Sequence, residues 1–117
     1  GLFIPKPEGK PQKGLLICEG VTDTACALDM GFDCIGRPSC NSGSDLIVEY
    51  ATERHIAIIS DADNVGLDGA ERLAFTLRSH CPEVVILIPP AKDLRDWVVD
   101  GCTRKDVLEL IKEMRKK

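Results

Sequence analysis

Four short strand-like runs divide the chain, apolar at 15–18, 56–59 and 84–88, with Asp33-Cys34-Ile35-Gly36 as a short second one. The first, Leu15-Leu16-Ile17-Cys18, is continuously apolar, as expected of a strand covered on both faces of a parallel sheet. The third, Ile56 to Ile59, is short and rich in β-branched residues and reads as a buried strand. Between the runs the apolar period lengthens towards that of a helix. Thr22 offers an N-cap for a helix to about Met30, with Gly31 as its stop. Ser44 or Gly43 opens a second helix to about Arg54, in which Leu46, Ile47, Tyr50 and Ala51 are spaced to bury one face. A third, over about 67–79, sets Ala70, Leu73, Ala74 and Leu77 on one stripe. Pro89-Pro90 stops the fourth strand, and 92–96 reads as a charged loop followed by a short turn or helix at 97–100. Thr103 caps a last helix carrying Val107, Leu108, Leu110 and Ile111.

Strands alternating with helices at this rhythm predict an α/β fold, a parallel sheet of about four strands with helices on both faces. In such sheets ligands bind beyond the carboxyl ends of the strands. Chemistry is therefore sought just after each apolar run, and acidic residues stand there: Glu19 after the first, Asp61 and Asp63 after the third. The loop 92–96 follows the fourth.

Residues two apart on an extended chain point the same way, so Asp61 and Asp63 face one side. Two such carboxylates repel, and burying them unpaired is costly. A hard divalent cation relieves both problems, and Mg²⁺ is typically held by one or two carboxylates together with substrate phosphates and water. The competing explanation is that the pair starts a turn and caps the next helix, where Asp is favoured anyway. Glu19 has a similar alternative as a carboxylate at a helix N-terminus.

Composition narrows the field further. The chain of 117 residues, 44% hydrophobic and 29% charged, has the make-up of one folded domain, expected over 14–117. Residues 1–13, with three prolines and no clear period, read as an extended lead-in or linker. No apolar run approaches the ~20 residues of a membrane span. The net charge of −4 argues against binding nucleic acid by bulk charge, although carboxylates gathered round a metal contribute to that count. Six cysteines without a C-x-x-C pair point away from zinc and towards reduced thiols, hence a cytoplasmic setting.

Glu19-Gly20 with Asp23 after one strand, and Asp61-x-Asp63 with Gly66 after another, together resemble the Toprim domain of topoisomerases, primases, some nucleases and recombination mediators. The resemblance spans roughly 14–101. It leans towards bacterial and phage primases and primase-helicases through the run Asp61-Ala-Asp-Asn-Val-Gly and through Lys92-Asp93-Leu94-Arg95-Asp96. Two departures stand out. Val65 occupies the place of a usual small residue, and Arg95 falls where replicative primases often carry an acid.

The resemblance implies a Toprim (Rossmann-like) fold and Mg²⁺-dependent nucleotidyl transfer on nucleic acid, most of all DNA, with nucleoside triphosphates as substrates and Mn²⁺ able to substitute for Mg²⁺. It implies Glu19 as catalytic acid/base, Asp61 and Asp63 as metal ligands, and Asp23 and Asp93 as further acidic residues near a second metal position. Arg37, Lys92 and Arg95 are candidate phosphate or nucleic-acid contacts; the bland reading makes Arg37 a loop charge and lets the other two offset Asp93 and Asp96. Replicative primases also carry other domains, so a larger protein or complex, with other replication proteins as partners, is expected. A small Toprim nuclease and a non-catalytic binding or regulatory module are the alternatives. His55 and His80 read as residues of helix ends, Asp68 as solvated surface, and Trp97 as a packing anchor.

Overall fold

The apolar runs form strands because their alternate side chains find apolar helices on both sides. The structure, a computed structural model, describes residues 13–37, 44–61 and 63–116. In order these form β1 (Gly14–Glu19), α1 (Gly20–Asp29), β2 (Cys34–Arg37), α2 (Ser44–Ala51), β3 (His55–Ile59), α3 (Asn64–Leu77), β4 (Glu83–Leu87), α4 (Leu94–Val99) and α5 (Arg104–Arg115). The four strands make one sheet in the order β2-β1-β3-β4, every neighbouring pair parallel.

Strand periodicity splits the core into two layers. Leu15, Ile17, Ile35, Ile56 and Ile58 pack with Ile47 and Ala51 of α2 and with the α3 stripe Ala70, Leu73, Ala74 and Leu77. Leu16, Cys18, Cys34, Ala57, Ile59 and Leu87 point the other way, to α1, Leu94 of α4, and Val107 and Ile111 of α5. The chain steps outward from β1 to β2, then returns across β1 to β3, so its direction reverses between β1 and β3. With right-handed crossovers, α1 lies on one face and α2 and α3 on the other, as the two layers require. The reversal opens a crevice at the carboxyl ends of β1 and β3.

Several local expectations need correction. Helix α1 starts at Gly20 rather than after Thr22, with Glu19 as its N-cap residue. Gly20 makes the abrupt turn possible, since its φ of +79° lies where a side chain is strained. Tyr50 and Leu46 are about half exposed, and only Ile47 and Ala51 of the expected α2 face are buried. His55 begins β3 instead of ending a helix. The charged loop is shorter than expected, because α4 already starts at Leu94, capped by Asp93. Trp97 packs partly buried against the core, and Asp68 is on the surface. The lead-in, apart from Lys13, and most of the loop after β2 lie outside the described residues, as do Cys40 and any cap from Gly43 or the Ser44 side chain. Among the described residues no helix is long and apolar enough to cross a membrane.

Candidate active site

Each strand end delivers one element of the site. Glu19 is the last residue of β1 and lies in register with Arg37, the last residue of β2. Asp61 follows β3 by two residues, and Asp63 is the N-cap of α3. Asp93 is the N-cap of α4, in the connection from β4.

Electrostatics tie these groups together. Burial pushes the Glu19 carboxyl above its ordinary pKa, and the negative charges of Asp61, Asp63 and Asp23 push the same way, while Arg37 opposes them. Asp61 is raised by burial and then by Asp63 and Asp93, with Lys92 opposing. The acids of three different strand ends thus share one electrostatic environment. A cation entering it would relieve their mutual repulsion.

The backbone is shaped to hold Asp63. Its Oδ1 accepts a hydrogen bond from the Gly66 amide at 2.6 Å. A Cβ at Gly66 would stand 2.9 Å from that oxygen and 3.3 Å from the Asp61 Cβ, so the turn needs a residue without a side chain. Buried Ser60 donates its hydroxyl to the Asp61 carbonyl at 2.9 Å, bracing the turn from the β3 side. The capping explanation for Asp63 is therefore realised. A single cap bond uses one carboxylate oxygen and leaves Asp63 Oδ2 without a hydrogen bond among the described residues.

Asp23 is placed differently from its fellows. It is buried, 6% exposed, and its two oxygens accept from the amides of Leu94 and Arg95 at 3.3 and 3.2 Å. Those amides belong to the first turn of α4, whose N–H groups have no partner within the helix. Asp23 thus ties α1 to the segment carrying Lys92 and Asp93, and burial raises its carboxyl despite the two amides. Asp93 accepts in turn from the Asp96 amide at 2.8 Å.

Arg37 is not an exposed loop charge. It is 4% exposed and sits beside Glu19 at the strand ends. Lys92 and Arg95 are exposed, with Lys92 within electrostatic range of Asp61. Sequence reasoning passed over Ser60 and Thr24. The fully buried Thr24 hydroxyl donates to the Gly20 carbonyl at 2.7 Å and supports the turn after Glu19. A threonine one helical turn after Gly20 was the available signal.

Among the described residues, no three acidic, histidine or cysteine side chains are gathered closely enough to hold one ion between them. The donor set suits a cation of the Mg²⁺ kind, which needs few protein carboxylates and takes the rest of its shell from phosphates and water.

No protein-family model matches the chain, and no curated protein sequence matches it either. Among solved structures, the chain is similar to the primase fragment of the bacteriophage T7 primase-helicase protein, with a TM-score of 0.68 and 17% sequence identity. The match covers 84% of this chain and 43% of that one, so the chain spans less than half the length of that fragment. The likeness bears on the fold, which is the α/β, Toprim (Rossmann-like) arrangement of four parallel strands between two helical layers.

Proposed function

We propose that this chain is a primase-like Toprim module that carries out divalent-metal-dependent phosphodiester chemistry on nucleic acid, with nucleotidyl transfer onto a DNA-templated strand as its reaction. The observation that carries the reading is the meeting of Glu19 and Asp61 at the carboxyl ends of β1 and β3, where the chain direction reverses, where burial raises both carboxyls, and where the Asp61 charge raises Glu19 further and Asp63 raises both. Asp61 and Asp63 would hold the cation, Mg²⁺ with Mn²⁺ as substitute. When bound, the metal supplies charge stabilisation at phosphoryl oxygens.

The chain's own groups have distinct tasks in this reading. Glu19, with its raised pKa, holds a proton nearer neutral pH than an ordinary glutamate and suits general acid/base work. Arg37 restrains that shift and offers a guanidinium beside it for a phosphate. Lys92 and Arg95, exposed at the rim, would contact the nucleic-acid backbone. Asp93 and Asp23 border the place of a second metal, with Asp23 also fixing the α4 segment. The reaction would run within a larger protein or complex that holds template and nucleotides.

The test is primer synthesis from ribonucleoside triphosphates on a single-stranded DNA template with Mg²⁺ or Mn²⁺, using wild type and Glu19→Gln. Products that depend on Glu19 support the reading. Cleavage of the template by the same acids, without synthesis, would make the chain a nuclease. A second reading, a nucleic-acid-binding module without catalysis, is favoured by the cap bonds of Asp23, Asp63 and Asp93. Template binding without either reaction would select it.

A further inference from the structure

Strand β4 ends the sheet, and among the described residues nothing pairs with its outer edge. Its sequence, Glu-Val-Val-Ile-Leu, carries no lysine, proline or bulge within the strand to discourage pairing. A cleft of about 430 Å³ runs along this edge, lined by Leu67, Arg78, Val84, Ile86, Ile88 and Met114. It straddles the edge, with α3 on one side and Met114 of α5 on the other. That is the shape an added strand would fill, since its alternate side chains face opposite layers.

The flanking helix indicates which strand. Leu67, Glu71, Phe75 and Arg78 follow at spacings of four, four and three and so form one stripe along α3. Phe75 is 78% exposed. Glu71 and Arg78 are exposed and oppositely charged, and neither has an ion-pair partner among the described residues. They stand seven residues apart, about 10 Å along the axis, with Phe75 between them. A two-fold axis reverses this order, so Glu71 of one copy meets Arg78 of the other and the two Phe75 rings meet near the axis. A patch with opposite charges at its ends and an aromatic in the middle is self-complementary, as an isologous interface must be.

We propose that the β4 edge and the Leu67–Glu71–Phe75–Arg78 stripe bind a second copy of this chain, with the two β4 strands antiparallel in one continuous sheet. The Val84 and Ile86 side chains are then covered at the junction. The two candidate active sites lie at opposite ends of the joined sheet, because antiparallel pairing reverses the strand direction.

The experiment is sedimentation equilibrium on the 117-residue chain up to ~100 µM, a concentration that reaches the weak end of standard-size interfaces. Four proteins are compared: wild type, Glu71→Arg, Arg78→Glu and the double reversal, each checked for folding by circular dichroism. Wild type is expected to dimerise. Each single reversal sets like charges opposite one another and should weaken the dimer by about tenfold or more. The double reversal should restore it. A wild-type monomer throughout would overturn the proposal and leave the edge to a strand of another protein. So would a dimer indifferent to both single reversals.

Discussion

Replacing Asp23 by alanine removes a side chain that hydrogen-bonds α1 to the N-terminus of α4. Both of its oxygens accept backbone amides, from Leu94 at 3.3 Å and Arg95 at 3.2 Å. The Leu94 residue is fully buried, so its amide loses a partner that water cannot replace, at a cost of about 1–3 kcal/mol. Arg95 is exposed, and loss of its bond should cost only about 0.5–1 kcal/mol because water substitutes. Relief of the buried carboxylate, whose pKa is raised by that burial, offsets part of the loss. The net expectation is about 2 kcal/mol, roughly an 8 °C fall in Tm for a domain of this size. Asp23→Asn keeps one acceptor oxygen and should lose about half as much. Thermal denaturation measures the total, and amide hydrogen exchange locates it. Protection should fall at Leu94 and Arg95 in the alanine variant before it falls in β1 or β3. An unchanged Tm with undiminished protection at both amides would refute the clasp.

Three further outcomes are expected. Gly66→Ala places a Cβ 2.9 Å from the Asp63 carboxylate and should cost about 1–3 kcal/mol while weakening Mn²⁺ binding; denaturant unfolding and metal titration check the two effects separately. The raised carboxyls of Glu19, Asp23 and Asp61 bind protons more readily folded than unfolded, so their stabilising contribution is full below the ordinary carboxylate range near about 4 and is lost as pH rises through the raised values. Metal-free unfolding at several pH values should show this loss, and Asp61→Asn should reduce it; an identical pH dependence in the variant would count against the shared environment. Metal affinity should run the opposite way and increase with pH, because protons compete for the same oxygens.

The alternation of strand and helix was legible because each apolar run is short and each helix carries a separate stripe. Leu73, Ala74 and Leu77 were found from spacing alone, since α3 lies between the sheet and solvent and has one apolar face. Helix α2 misled the same reasoning. Leu46 and Tyr50 have the right period but fall beside the packed face, where Ile47 and Ala51 suffice. The acids at the strand ends were legible because Glu19 and Asp61 stand within two residues of the end of a short apolar run that the sequence itself displays. The partners of Asp23 were not, because they lie 71 and 72 positions away and only the tertiary fold brings them near. Arg37 was ambiguous for a related reason. One residue decides whether it ends a strand beside Glu19 or starts the following loop, and the boundary is fixed by pairing with β1.

The central claim is that Asp61 and Asp63 hold a divalent cation at the end of β3. It is tested most directly by calorimetric titration of Mn²⁺ into the wild-type chain and an Asp61→Asn/Asp63→Asn variant, each with a nucleoside triphosphate present to complete the ion's shell. Saturable binding in the wild type that disappears in the variant is the expected result. Binding of equal strength in both, or in neither, would contradict the claim and leave Asp63 as the N-cap of α3 alone.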